Sequence, residues 1–399
     1  MLVSDLDFDL PPRLIAQQPA RPRDTARLLH ARCADLGNGA AAISHRHVSD
    51  LPSLLRRGDL LVVNDSRVLR ARLRGVKAGS GGRVEALLLR EAQLNVWECL
   101  LRPSARLKVG AQLHFLAPGS PQAKPLRAEP VQRLGENWLV RFEPLEPPGF
   151  EPPGFEPPGF EPPATNASFD VRQVLADYGE VPLPPYIHAA APEQDYQTVY
   201  ARSAQPSRGE QAQQAGALDS CAAPTAGLHF TPRLLQELSE RGVETVAVTL
   251  GVGPGTFKPV QVEALEEHAM HEEEFFISSQ AAARIGEQKR RGGRVVAVGT
   301  TSARALESAC HEGGVVQMGL GSTRLFVRPG YEFRVVDALM TNFHLPRSTL
   351  LALVAAWVQH RARRDGVMLD GLASVHLLYA QAIARSYRFF SFGDAMLLE

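Results

Sequence analysis

The chain has 399 residues and a hydrophobic share of 44%, enough for a large core and more than one domain. Its 43 basic and 43 acidic residues balance, which excludes a chain that coats nucleic acid through bulk charge and leaves any basic surface local. Four scattered cysteines (Cys33, Cys99, Cys221, Cys310) include no Cys-x-x-Cys pair, and the longest apolar run, Leu350 to Val358, is too short to span a bilayer; a zinc ribbon, a disulfide framework and a membrane helix are all excluded.

The N-terminus, Met-Leu-Val-Ser-Asp-Leu-Asp, carries no signal-peptide pattern, so a cytoplasmic protein is expected. Residues 1–30 predict a short helix, a turn and a strand. Leu51 to Leu55 predicts a brief helix, and Leu60 to Val63 a buried strand ending at Asn64-Asp65-Ser66. From Arg70 to Glu143, short apolar runs at Arg83–Arg90, Val96–Leu101, Gln112–Leu116 and Trp138–Phe142 alternate with turn residues and predict a small β-barrel or sandwich. Between Arg46 and Arg90 ten bases oppose four acids, a local excess suited to phosphates. Glu146 to Pro163 repeats Glu-Pro-Pro-Gly-Phe, in which neither helix nor sheet propagates, and Ala204 to Gly216 is a second aperiodic tract.

The pattern then alternates. Helices are predicted at Thr231–Arg241 (Thr231 as N-cap, Pro232 first), Ser279–Arg291, Ser302–Cys310, Ser348–His360 and Ala373–Arg385. Strands are predicted at Val243–Leu250, Arg294–Val298, Thr323–Val327 and Phe333–Val336. The fold class expected is α/β: a larger mixed α/β domain with an inserted small antiparallel β-barrel domain. The expected division is 1–69 and 172–399 for the α/β domain and 70–171 for the insertion, with the low-complexity loop at 146–163.

Polar strings interrupt the apolar runs of the C-terminal half. Val298-Gly-Thr-Thr-Ser follows a strand and opens a helix, so its N–H groups and hydroxyls form an anion site; Thr301 or Ser302 is expected to cap that helix. Gly251-Val-Gly-Pro-Gly follows a strand, but its prolines oppose a dinucleotide-type helix, and a glycine loop that lets backbone approach a ligand fits better. His268-x-x-His271-x-Glu273 has helical spacing but no third ligand nearby in sequence; proton transfer is favoured over metal, and no metal site is expected. His229 and His344 sit in similar Phe/His loops near predicted strand ends, which points to a shared pocket.

These strings together resemble the S-adenosylmethionine:tRNA ribosyltransferase-isomerase family of queuosine biosynthesis. The likeness runs through Asp5-Leu-Asp-Phe-Asp-Leu-Pro, Gly58-Asp-Leu-Leu-Val-Val-Asn-Asp-Ser-Arg-Val, Gly179-Glu-Val-Pro-Leu-Pro-Pro-Tyr-Ile and Asp195-Tyr-Gln-Thr-Val-Tyr-Ala. It continues through Ala223-Pro-Thr-Ala-Gly-Leu-His-Phe-Thr, Val298-Gly-Thr-Thr-Ser, Asp337 to Leu350 and Tyr387-Arg-Phe-Phe-Ser-Phe-Gly-Asp-Ala-Met. The resemblance implies transfer of the ribosyl part of S-adenosylmethionine to an aminomethyl-deazaguanine in the tRNA wobble position. The sugar rearranges to an epoxy-cyclopentane, and adenine and methionine leave. S-adenosylmethionine is then a consumed co-substrate, no true cofactor is expected, and the partner is the tRNA anticodon loop. A monomer with no obligate protein partner is expected.

Fitted to that chemistry, His229, His271 or His344 takes a C5′ proton acidified by the sulfonium, and another histidine or Glu273 protonates adenine. Thr300, Thr301 and Ser302, at the helix start, hold the methionine carboxylate, and Arg304 belongs to the expected binding set. Gly253, Gly255 and Thr256 lie against ribose or adenine, and Tyr186, Tyr196 and Tyr200 stack on unpaired bases. Asn64, Asp65, Thr225, Phe230 and Asn342 complete the expected binding set. One departure stands out: Gly251 occupies the place where the family carries His before Val-Gly-x-Gly-Thr-Phe. Two alternatives compete, a non-catalytic RNA-binding protein and a methyltransferase or dehydrogenase built on Gly251–Gly255; adenine release separates them from the reading above.

Overall fold

The computed structural model describes residues 1–120, 123–143, 171–189, 191–202, 218, 220–253, 260, 262–311 and 313–399. The Glu-Pro-Pro-Gly-Phe run, the 204–216 tract and the expected site residues Gly255 and Thr256 lie outside the described residues. The chain forms two compact units, Met1–Val68 with Leu183–Glu399, and Leu69–Pro182.

In chain order the strands are β1 (Arg27–Ala31), β2 (Ile43–His47) and β3 (Leu60–Asn64). In the second unit they are β4 (Arg72–Lys77), β5 (Arg83–Gln93), β6 (Val96–Arg102), β7 (Leu113–Phe115), β8 (Leu126–Leu134), β9 (Asn137–Phe142) and β10 (Gly179–Glu180). Then follow β11 (Glu244–Leu250), β12 (Glu273–Ile277), β13 (Val295–Val298), β14 (Gly319–Thr323), β15 (Ala338–Asn342) and β16 (Ala395–Leu398). The helices are α1 (Leu51–Leu54), α2 (Val171–Tyr178), α3 (Pro232–Glu240), α4 (Ser279–Arg290), α5 (Gly299–Ser308), α6 (Thr349–Arg364) and α7 (Gly371–Ala384).

The larger unit is a nine-stranded sheet in the order β14-β12-β11-β3-β13-β15-β16-β1-β2. Its centre, β11-β3-β13-β15, is parallel. Such strands are covered on both faces and read as unbroken apolar runs, as Leu60–Val63 and Val295–Val298 do. Alternate side chains divide between two cores. Leu60, Val62, Val295, Ala297 and Leu339 pack with α4, α5, α6 and α7. Leu61, Val63, Val296, Val298 and Met340 pack on the other face with Leu51 of α1 and Leu234 and Leu238 of α3. Thr231 caps α3 by accepting from the Leu234 N–H, with Pro232 first in the helix, as its sequence dictates.

The second unit is a closed six-stranded antiparallel barrel. The order β4-β5-β6-β9-β8-β7 returns to β4 through the β4–β7 pairing, and β10 adds to β4 from outside the ring. This closure removes the exposed edges that a flat sheet would leave. The unit runs past the expected end at residue 171, because α2 buries Val171, Leu175 and Tyr178 in the barrel core.

Several elements differ from expectation. The helix expected from Ser302 starts at Gly299, the strand expected at Thr323–Val327 lies earlier, at Gly319–Thr323, and no strand forms at Phe333–Val336. There the N–H groups of Arg334, Val335 and Val336 donate instead to the buried Glu307 carboxylate at 2.9–3.0 Å. Burial pushes the Glu307 pKa up. The His268–Glu273 string is not helical: a 3₁₀ turn at Leu265–Glu267 gives way to a loop, and Glu273 begins β12. Strand β8 was hidden by Pro130, which sits where its pairing with β9 shifts register. The basic excess of Arg46–Arg90 is not one free patch, since Arg72 and Arg74 approach Glu85, Arg74 also pairs with Glu180, and Arg90 pairs with Glu98.

Candidate active site

Parallel α/β sheets bind ligands beyond the carboxyl ends of their strands. At that edge, the turns after β11, β13 and β15 converge on a cavity of about 70 Å³. Its lining includes Thr225, Val252, Gly299, Thr300, Thr301, Asn342, His344, Tyr186, Phe390 and Ser391. Of the expected site residues, Tyr186, Thr225, Thr300, Thr301, Asn342 and His344 therefore meet at one place.

The start of α5 forms one wall. Gly299 has φ +89°, a left-handed conformation that favours glycine, and turns β13 directly into the helix. The N-cap is Val298, and no side chain caps the helix. The expected cap by Thr301 or Ser302 is corrected: Ser302 Oγ donates backwards to the Val298 carbonyl at 2.8 Å, and Thr301 Oγ1 is buried without a partner. The first N–H groups of α5 thus have no side-chain acceptor, and Thr300 and Thr301 face the cavity, an arrangement suited to an anion.

Asn342 forms the second wall. Its Nδ2 donates to the Phe390 carbonyl at 3.0 Å, and its Oδ1 accepts from Thr225 Oγ1 at 2.9 Å. The amide thus staples three distant segments together. Phe390 is held at φ +69°, a costly region for a bulky side chain and one concentrated at functional sites. Tyr186 lies 4.9 Å from the Phe390 ring, and its hydroxyl bonds Ser391 Oγ at 2.8 Å. Phe390 and Ser391 were missed by sequence reasoning, although the Tyr387–Met396 string that contains them carried the resemblance.

His344 is buried, and its Nε2 shares a hydrogen bond with Thr341 Oγ1 at 2.9 Å. Burial lowers its pKa to about 3, so the ring is neutral at physiological pH. This has a measurable consequence. In the unfolded chain the ring binds a proton near pH 6.5, while the folded ring stays neutral down to about 3. Between those values the unfolded state binds more protons, so this contribution is whole above pH 6.5 and lost as pH falls towards 3. We expect His344→Asn to flatten the acid limb of stability against pH by up to about 1.4 kcal/mol per pH unit. Urea unfolding at pH 7, 6 and 5 checks this, and parallel curves for variant and parent refute it.

The remaining expected residues lie elsewhere. His229 is buried with Nδ1 3.0 Å from the Ala226 carbonyl and Nε2 3.0 Å from the Gly393 carbonyl; burial lowers its pKa, the neutral ring donates to one of the two, and it lines no part of the cavity. His271 is exposed and outside the cavity, near His268, whose pKa is lowered chiefly by burial. Glu273 and Arg304 form a buried ion pair, with Arg304 Nε also donating to the Leu325 carbonyl at 3.1 Å. Neither lines the cavity; the pair joins the start of β12 to α5.

Asn64 pins the end of β3 to β11, exchanging hydrogen bonds with the Leu250 N–H and carbonyl at 3.0 Å. Asp65 accepts from Thr249 Oγ1 at 2.6 Å and lies 3.4 Å from Arg202; burial raises its pKa. Phe230 and Tyr196 are wholly buried, so neither presents a face to a base. The Tyr200 hydroxyl packs over Gly227, where a Cβ would meet it at 2.0 Å, so both residues serve the turn Thr225–His229. Gly253 lies in the loop after β11, beside the cavity residue Val252. Gly251 carries its backbone N–H to the Glu274 carbonyl at 3.0 Å. Among the described residues no group of three His, Cys, Asp or Glu side chains forms a metal cluster, and no helix is long and apolar enough to cross a membrane.

Comparison with known proteins gives this cavity a context. A family model described as queuosine biosynthesis protein matches residues 3–398. The S-adenosylmethionine:tRNA ribosyltransferase-isomerase of Moorella thermoacetica is 43% identical over 399 residues, 100% of each chain. That of Thermus thermophilus is 44% identical over 395 residues, 98% of each. A crystal structure of S-adenosylmethionine tRNA ribosyltransferase from Thermotoga maritima is 30% identical, covering 99% of this chain and 100% of that one, with a TM-score of 0.49. A match along nearly the whole chain, with relatives alike over their full length, leaves one conclusion: the chain belongs to the queuosine biosynthesis protein family.

Proposed function

We propose that the chain is an S-adenosylmethionine:tRNA ribosyltransferase-isomerase. It moves the ribosyl part of S-adenosylmethionine onto 7-aminomethyl-7-deazaguanine at the tRNA wobble position and isomerises it, with release of adenine and methionine. S-adenosylmethionine is a consumed co-substrate. The observation that carries this reading is the convergence of the side-chain-uncapped α5 start, Thr225, Asn342 and His344 on one cavity in a chain of this family.

The methionine carboxylate sits at the α5 N-terminus, against the free N–H groups and the unpartnered Thr301 hydroxyl. His344 is the one expected proton-transfer residue that lines the cavity. Its Nε2 is held by Thr341, which leaves Nδ1 for the substrate. A ring with so low a pKa is by itself a weak base. A carboxylate bound beside it raises that pKa, so substrate binding itself readies His344 to accept a C5′ proton. Tyr186 and Phe390 form an aromatic wall against which a purine ring packs.

Incubation with S-adenosylmethionine and tRNA carrying the aminomethyl-deazaguanine tests the reading. Free adenine and an epoxyqueuosine nucleoside are expected by mass analysis. Formation of S-adenosylhomocysteine without adenine overturns it in favour of methyl transfer.

A further inference from the structure

A second concavity lies on the same unit: a cleft of about 860 Å³ lined by Arg21, Arg23 and Arg67 around the segment Pro192–Val199. Sheet topology places it. Arg67 follows the turn that ends β3, whose neighbours β11 and β13 run parallel to it, so Arg67 lies at the carboxyl edge that carries the cavity. Strand β16 is antiparallel to β15, and β1 is parallel to β16, so the amino ends of both open on that same edge. Arg21 and Arg23 precede β1 there. The two concavities also share chain. The segment 222–226 lines the cavity and Thr231–Pro232 lines the cleft, while Tyr186 serves the first and Pro192–Val199 the second.

The arginines are presented, not spent. Arg21 keeps a side chain 64% exposed while the buried Asp195 carboxylate orients it at 2.6 Å. Arg23 is braced by the carbonyls of Gln194 and Gln197. Gln197 clamps the Val68 backbone from both sides, at 2.9 and 3.1 Å, which ties the segment to the turn bearing Arg67. Arg67 has no side-chain partner among the described residues. Further along the edge, Arg27 and Arg388 share the single buried carboxylate of Asp394. Glu193 is the cleft's other acid, so the cationic excess is modest, but it stands on a chain whose total charge is zero.

Cationic side chains held by carbonyls and buried carboxylates beside a catalytic cavity suit a polyanion that must lie across the mouth of that cavity. We infer that the Arg21–Arg23–Arg67 cleft binds the sugar–phosphate backbone of the RNA substrate, next to the nucleotide that enters the cavity. This rests on the enzymatic reading above and names where its RNA is held. The cleft gives affinity and register, whereas the cavity reads the base.

The test is tRNA binding by fluorescence anisotropy, without S-adenosylmethionine, from 50 to 300 mM salt. Arg67→Glu is expected to weaken binding about tenfold and to lower the slope of log affinity against log salt by about one. Arg67→Lys is expected to keep most of both. Arg363→Glu serves as control: Arg363 is exposed near the end of α6, whose Arg364 reaches Asp337 just before β15, so it marks the opposite edge. It should behave as the parent. S-adenosylmethionine binding by Arg67→Glu, measured by calorimetry, should be unchanged, which separates loss of RNA contact from loss of fold. Parental affinity and salt slope in Arg67→Glu overturn the inference, as does a loss equalled by Arg363→Glu. A parent that neither binds tRNA nor releases adenine overturns instead the enzymatic reading on which it stands.

Discussion

Replacing Asn342 by alanine is expected to lower kcat/KM for adenine release by on the order of a hundredfold, with about 1–3 kcal/mol lost from the fold. The amide is buried at the end of β15 and bonds two groups on different segments, the Phe390 carbonyl and the Thr225 hydroxyl. Alanine leaves both without that partner inside the protein, and each unsatisfied buried group carries a desolvation cost. The larger effect is on geometry. Phe390 is held in a left-handed conformation that its side chain disfavours, and the Asn342 bond is one of its restraints. Once released, the aromatic wall and the Thr225 side both move, and a shift near 1 Å is enough to cost that factor. Asn342→Asp should fare no better, because it sets one oxygen acceptor against another at Phe390. Steady-state kinetics within twofold of the parent would falsify the stapling role.

Arg304→Met is expected to destabilise the protein by about 3–5 kcal/mol in urea unfolding. Arg304 and Glu273 are each about 7% exposed in their side chains, and the guanidinium is the carboxylate's ion-pair partner. Removing it takes this ion pair from a buried carboxylate. The double variant Arg304→Met/Glu273→Gln should recover a large part of the loss, because a neutral amide tolerates the interior far better than a carboxylate. If the single and double variants are equally unstable, the penalty comes from lost packing of the long side chain and not from charge. A carboxylate committed to this pair is also poorly placed to protonate adenine, which the retention of activity in Glu273→Gln would show independently.

Much of the architecture was legible because the physics was local. Continuous apolar runs announced β3 and β13, and Thr231-Pro232 announced its helix, since capping needs only neighbours in sequence. The mixed sheet and the barrel followed from alternating and closely spaced patterns. What stayed hidden was set by distant partners. No local rule says that the three N–H groups at Arg334–Val336 find a carboxylate from α5 in place of a strand. Ser302 is a local exception: its hydroxyl bonds back to the Val298 carbonyl four residues earlier, a competitor to capping that leaves the helix without a side-chain cap. Histidines were the hardest to rank. His229, His271 and His344 look alike in sequence, yet one is locked between carbonyls, one is on the surface and one faces the cavity. Their roles depend on three-dimensional neighbours, so the resemblance supplied candidates that only placement could sort.

The position of β16 has a consequence for how the protein is made. It lies inside the large sheet, between β15 and β1, although residues 395–398 leave the ribosome after every strand they join. Until then the β1–β2 hairpin has no neighbour to dock on and β15 presents an open flank. The large sheet therefore joins β15 to the β1–β2 pair only once residues 395–398 are made, a non-local pairing that is slow and vulnerable to aggregation. The barrel, continuous in sequence from Leu69 to Pro182, is free to condense much earlier on the nascent chain.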